Sequence, residues 1–441
     1  MFSYGIDYVD PQDLVGETLG ECRFQSPLSA RYFVQDSSRI LLNQDRDGVV
    51  TGVANGDVLP SFELAGPRSR IFFEPREVTA GIVTCGGLCP GLNDVIRAIV
   101  IALERNYGVP RILGFRYGFS GLARSGGFDP MILDREVVDD IHQDGGTILG
   151  SSRGPRDAGE MVDRLVEQGV DMLFTIGGDG TQRGAQTIVD EIRRRRLSIA
   201  VVGVPKTIDN DIDLISRSFG FETAVTMSRD AIKAAHTESK GFSRGIGLVK
   251  LMGRQSGFIA ASATLAHSEV NVCLVPEVDF RIDGDGGLLD WLEKRLQTRR
   301  HAVVVVAEGA GQRYLDNGVN DEETDESGNI KLKDIGVYLQ GVLKNHFSTG
   351  PLAARVSYID PSYIIRSMPA TVGDSAFCLQ LGHCAVHAAM AGKTGIVVGS
   401  WADHFTHVPI KAAVGRRKKI DPDGILWQNV LQATGQPAMK P

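Results

Sequence analysis

The chain has 441 residues, of which 42% are hydrophobic and 23% charged, enough for one large or two medium globular domains with sizeable cores. A net charge of −7 argues against a general nucleic-acid binder, yet leaves room for phosphorylated ligands, which need only local positive charge. With no basic leader ahead of an apolar core and no apolar run of about 18 residues, neither secretion nor membrane spanning is expected, and the expected compartment is the cytoplasm.

Met1–Glu77 mixes Pro, Asp, Gly and Arg with brief apolar pairs and reads as an N-terminal extension, an extended arm or a capping layer. An α/β pattern begins at Val78. The run VTAGIVTCGG ends in Gly86 and Gly87, and a helix with apolar residues at three- and four-residue spacing follows. This strand-to-helix turn lacks the GxGxxG order and the GK[ST] ending, but can cradle phosphate on backbone amides at a helix N-terminus. Of the six cysteines, Cys85 and Cys89 are close, and no second pair completes a metal site, so a reduced protein is expected. RILGFRYGFSGL is a strand ending in a glycine turn that contains Tyr117, and a helix is expected from Asp134. In GGTILGSSRGP, Arg153 follows a strand and can grip a phosphate with two donors; a solvated surface arginine is the alternative. Asp157–Gly169 reads as a helix.

The stretch Phe174–Asp211 holds two short apolar runs, each ending in a turn dense with Gly and Asp, separated by an Arg-rich helical pattern. Ligands of open α/β sheets sit beyond the carboxyl ends of the strands, so Gly177–Thr181 and Pro205–Asp211 should face one crevice. Gly177, Gly178 and Gly180 let backbone approach a bulky anion, and Asp179 with a second carboxylate can hold a divalent metal between phosphate oxygens. Asp209 and Asp211 lie two apart, and a carboxylate there can take the proton of an attacking hydroxyl. Lys206, Thr207 and Asn210 add a cation and neutral hydrogen-bonding groups. Each turn alone also fits an ordinary loop; the coincidence of both at strand ends carries the reading.

After a helix over Gly220–Ser239 a second α/β series begins, placing Met252, Gly253 and Arg254 at one strand end and Glu308 at the end of the apolar VVVVA run. Asp316–Lys333 reads as a loop or flap. His383 and His387, four apart on a small-residue helix, lack a third ligand and read as packing. The run Arg416–Lys419 reads as a solvated basic patch. The expected architecture is α/β: two Rossmann-like domains with a substrate cleft between them, over 78–215 and 216–394, with 1–77 as an extension and 395–441 returning towards the first domain.

GGLCPGLN, GSSR, GGDGT, PKTIDND, KLMGR, AEG and YIDPSYIIR occur in an order that resembles the phosphofructokinase family, over roughly Val78 to Thr394. The closest resemblance is to its longer plant, protist and bacterial branch. It implies phosphorylation of fructose 6-phosphate on its 1-hydroxyl, with Asp209 as base and Asp179 on magnesium. Gly87, Tyr117, Arg153, Gly178, Asp179, Gly180, Thr181 and Lys206 would lie on the donor side. Thr207, Asp209, Asp211, Met252, Gly253, Arg254, Glu308, Tyr363 and Arg366 would surround the sugar phosphate, with Arg254 and Thr207 also serving the transfer. A homotetramer or homodimer under allosteric control is implied. Gly245 stands where compact bacterial members carry a subunit-bridging arginine. Pyrophosphate-using members usually carry Asp at the position of Gly180, where a second carboxylate would repel the α-phosphate of a nucleotide; Gly180 therefore points to ATP as donor.

Overall fold

The computed structural model describes residues 9–29, 32–315, 324 and 331–439. Two main sheets carry the chain. The larger has nine strands, and its centre is five parallel strands in the order Ile396–Trp401, Ala200–Pro205, Met172–Gly177, Thr79–Thr84, Arg111–Phe115. These central strands are apolar runs because helices cover both faces, leaving no side to present to water. Antiparallel strands finish both edges, with His404–Pro409, Ser61–Leu64 and Arg39–Leu41 on one side and Met131–Ile132 on the other. The second sheet is wholly parallel, in the order Val272–Leu274, His301–Ala307, Gly245–Leu251, Arg355–Ile359. Two α/β domains result, as the alternating pattern predicts.

The described part of the N-terminal extension is built into the first sheet. Strands Arg39–Leu41 and Ser61–Leu64 flank the helix Arg46–Asn55, and Ser61–Leu64 pairs with His404–Pro409. The cement is buried charge: Glu63 accepts from Arg68 at 2.8 Å and from Lys393 Nζ at 3.0 Å. Beyond Pro409 the chain crosses to the second sheet, where the helix Ile425–Thr434 packs on Phe258–Ala266 and Gln436 exchanges two hydrogen bonds with the Cys273 backbone.

No helix forms from Asp134. Its carboxylate accepts from the Val137 amide at 2.9 Å, a local turn that competes with helix, and only the 3-10 turn Ile141–Gln143 follows. The loop expected over Asp316–Lys333 lies mostly outside the described residues. His387 Nδ1 sits 2.8 Å from the Tyr107 hydroxyl, a packed pair. One apolar cluster runs from Ile82 and Phe174 through Phe219 and Ile232 to Val249 and Val305, so the domains share a core that fixes the cleft between them. Among the described residues no helix is long and apolar enough to cross a membrane.

Candidate active site

The floor of the cleft is made by the carboxyl ends of adjacent strands. Met172–Gly177 and Ala200–Pro205 pair in parallel with Gly177 opposite Pro205, which brings GGDGT and PKTIDND side by side. The helix Asp179–Arg194 starts directly from Gly178, and no side chain caps it, so its first-turn amides face the cleft as an anion site. Gly177 is dictated by packing: a Cβ there would lie 2.2 Å from Thr181 Oγ1. At Gly180 a Cβ would meet nothing within 4 Å, so any side chain would enter open cleft.

The loop after Pro205 is held by its own polar side chains. Asn210 adopts the left-handed conformation, φ +54°, which asparagine tolerates better than most residues, and accepts from the Ser218 amide at 3.0 Å. The Thr207 hydroxyl donates to Asp211 at 2.6 Å and accepts from the Asp209 amide at 3.2 Å. Asp211 is thereby committed to structure, and Asp209 is left to face the cleft. One of its oxygens accepts from the Arg254 amide at 3.4 Å, and the other is buried without a partner. Burial first, then the neighbouring Asp211 and Glu308, push its carboxyl up to about 7.

The first glycine turn closes the opposite wall. Lys206 is buried, donates from Nζ to the Gly87 carbonyl at 2.7 Å, and has its ammonium disfavoured by that burial. Ser151 donates to the Gly86 carbonyl, which ties GSSR to the same turn and brings Arg153 to the rim. Together these segments enclose about 730 Å³. Gly87, Arg153, Gly178, Asp179, Gly180, Thr181, Lys206, Thr207, Asp209, Asp211, Arg254 and Arg366 all border this space.

The remaining expected residues lie outside that lining. Met252 is fully buried, Gly253 has φ +127° and accepts from the Gly309 amide, and Glu308 is half-buried near Asp209. Tyr117 packs its ring on Phe128 at 4.6 Å. Tyr363 is 86% exposed on the short helix Ser362–Ser367. At Gly245 no side chain fits, because a Cβ would lie 2.3 Å from the Ser239 carbonyl oxygen.

The run Arg416–Lys419 is not a solvated patch. Arg416 pairs with Asp213, and Arg417 reaches both Asp211 Oδ2 at 3.0 Å and Asp179 Oδ2 at 3.4 Å. Lys418 is buried, donating to the carbonyls of Ile215 at 2.7 Å and Ser216 at 3.2 Å. The signal for this lay in the alternation of an extended segment, in which Lys418 and Ile420 point inward and Lys419 outward.

Asp179 also accepts from Arg183 Nε at 3.1 Å. Among the described residues no three His, Cys, Asp or Glu side chains converge to cage an ion. The carboxylate of Asp179, a hard oxygen donor at the uncapped helix start, fits a magnesium ion held mainly by substrate phosphates and water.

A profile of the family described as "Phosphofructokinase" matches residues 79–389. The chain is 50% identical over 438 residues to the ATP-dependent 6-phosphofructokinase of Amycolatopsis methanolica, covering 97% of this chain and 95% of that one. It is 48% identical over 431 residues to the ATP-dependent 6-phosphofructokinase of Borreliella burgdorferi, covering 96% of each. Among solved structures, the pyrophosphate-dependent phosphofructokinase of Marinobacter aquaeolei aligns with a TM-score of 0.66 at 19% identity, covering 82% of this chain and 92% of that one, a likeness of fold. With the matched profile spanning both sheets and the cleft between them, the chain belongs to the phosphofructokinase family.

Proposed function

We propose that this chain is a 6-phosphofructokinase that transfers the γ-phosphoryl group of ATP to the 1-hydroxyl of fructose 6-phosphate. The observation that carries the reading is Asp209: a half-buried carboxylate with one unpartnered oxygen, facing the cleft between the uncapped helix at Gly178 and the cations Arg254 and Arg366. A carboxyl raised to about 7 is matched to taking a proton from a sugar hydroxyl near neutral pH. Arg254 and Arg366 supply positive charge for the sugar phosphate and for charge that develops during transfer. Lys206, Arg153 and the amides after Gly178 face the donor phosphates. Asp179 would hold magnesium, which when bound neutralises donor phosphate charge.

ATP is read as the donor because Gly180 leaves its side of the cleft open, and a carboxylate projecting from that position would meet the phosphate charge. Named relatives on which the chain matches nearly end to end carry the same donor in their names. Initial rates with fructose 6-phosphate and magnesium, ATP against pyrophosphate, test it. ATP-driven turnover that falls in Gly180→Asp supports the reading; a preference of the unmodified chain for pyrophosphate overturns it. We also read the protein as a homo-oligomer, in keeping with the exposed Tyr363 and Val372.

A further inference from the structure

Arg417 comes from the C-terminal part of the chain, more than two hundred residues from the aspartates it touches, and is held in place by its backbone. Its residue pairs with Ile212 in an antiparallel bridge, and the next amide, of Lys418, donates to the Asp211 carbonyl at 3.0 Å. On the far side Ser256 donates to the Lys418 carbonyl at 2.5 Å, and the Ile420 amide donates to Glu277 at 2.9 Å. The segment 416–420 is thus a strap from the loop after Pro205 to the second domain. A strap fixed at both ends presents one guanidinium to the cleft, and that guanidinium bridges two carboxylates.

The two contacts are unequal. The Asp211 contact is the shorter at 3.0 Å, and Asp211 is itself fixed by Thr207. The contact to Asp179, at 3.4 Å, is the longer and shares its oxygen with Arg183. Arg417 is partly exposed to the cleft, with 23% of its side chain accessible, so it can leave one carboxylate by a side-chain rotation while the strap stays in place. A divalent cation approaching Asp179 meets a positive charge already on one oxygen of its carboxylate, and charges this close in a partly buried site repel strongly.

Resting on the reading of Asp179 as the metal carboxylate, we propose that Arg417 competes with the divalent cation for Asp179 and so sets how tightly the protein takes metal. Metal binding then moves the guanidinium off Asp179 while it keeps Asp211, where it faces the donor phosphates. Free metal binds weakly, and a metal arriving with phosphates is favoured, because only then does the displaced guanidinium gain an anionic partner. The strap thereby makes occupancy of the donor side conditional on nucleotide and metal together.

The test is Mn2+ binding to the whole chain, followed by electron paramagnetic resonance without nucleotide. Arg417→Gln should bind Mn2+ about tenfold more tightly than the unmodified protein, and Arg417→Lys, which keeps the charge but cannot fork, should fall between. Asp179→Asn should lose the site in either background. Arg416→Gln, which disturbs the neighbouring strap contact alone, should leave the affinity unchanged. If Asp179→Asn abolishes binding but Arg417→Gln binds no more tightly, the competition is overturned. If Asp179→Asn binds Mn2+ as the unmodified protein does, the assignment of Asp179 itself fails, and the proposal with it. A tenfold gain in Arg416→Gln equal to that in Arg417→Gln would also overturn it, since loosening of the strap would then be the cause.

Discussion

Asp209 and Arg254 meet across the two domains: the backbone amide of Arg254, at the end of a strand in the second sheet, donates to the Asp209 carboxylate at 3.4 Å. The candidate base of one domain is thus oriented by the backbone of the other, and its second oxygen has no partner. A carboxylate fixed by one backbone amide keeps lone pairs for a hydroxyl that reaches it from the cleft it lines.

The first expectation follows from that carboxyl. In its proposed role as base Asp209 works as carboxylate, and a value near 7 would leave it protonated below neutrality, so kcat/KM should fall tenfold per pH unit below about pH 7. Burial is the main cause of the rise and Glu308 contributes, so Glu308→Gln should move the acid limb to lower pH. Asp209→Asn should lower kcat by about a thousandfold with nucleotide binding retained. An unshifted limb in Glu308→Gln would place the titrating group elsewhere.

Gln182, fully buried on the first helix turn after GGDGT, should prove a clamp on the site. Its Nε2 is within hydrogen-bonding distance of the carbonyls of Thr175, Gly177 and Val204, at 3.3, 3.0 and 3.3 Å, so it binds both strand ends that form the cleft floor. Gln182→Ala leaves those carbonyls short of donors and opens a cavity, at a cost of about 2–4 kcal/mol. Gly203 is the other half of the fit, since a Cβ there would lie 2.2 Å from Gln182 Oε1. Gly203→Ala alone should destabilise, and the double variant should be less unstable than the sum. Strict additivity in urea denaturation would show that the two do not act through this contact.

How much of this was legible beforehand depended on sequence distance. The turns at Gly177–Thr181 and Pro205–Asp211 were readable because each ends an apolar strand run, and local spacing is what periodicity reports. Arg417 was not, because its role depends on a chain reversal that brings it beside Asp179 and Asp211, and no local pattern encodes closure over such a separation. The same holds for the extension: Ser61–Leu64 has too few residues to announce a strand, and only pairing with His404–Pro409 makes it one. Asp134 failed in the opposite way, since a strong apolar context was absent and its own carboxylate capped a turn instead.

Glu63 should be the residue that holds extension and sheet together. Its carboxylate is buried between Arg68 and Lys393, with His407 Nδ1 at 3.6 Å, too long for a hydrogen bond. Burial drives the His407 ring towards its neutral form, so Arg68 and Lys393 are the cations that count. Burial opposes ionisation of Glu63, but its partners win and hold the carboxyl well below the usual range. Its contribution is therefore present above the ordinary glutamate value and is lost as pH falls through the depressed one. Glu63→Gln leaves buried cations uncompensated and should cost about 3–5 kcal/mol at neutral pH, with a shallower loss of stability on acidification. Equal acid sensitivity in both proteins would assign the acid transition to other carboxylates.

Lys418 should act in the same direction through the opposite charge preference, its folded state favouring the neutral form. Burial pushes its ammonium down to about 7 from the ordinary 10.5, against the pull of Asp211 and Asp213, while Nζ donates to the Ile215 and Ser216 carbonyls and lies 5.3 Å from the Phe258 ring centre. Between those two values the unfolded chain binds the extra proton and the folded chain does not, so stability should rise as pH increases from about 7 towards 10. Lys418→Met keeps the bulk, removes the slope, and leaves two carbonyls without their donor, costing about 2 kcal/mol. Those carbonyls belong to the loop that carries Asp209 and Asp211, so kcat should fall with stability. Urea denaturation at pH 6.5 and pH 9.5 separates the two effects: the gap between the proteins should widen at the higher pH, and a constant gap would mean that Lys418 keeps its proton throughout.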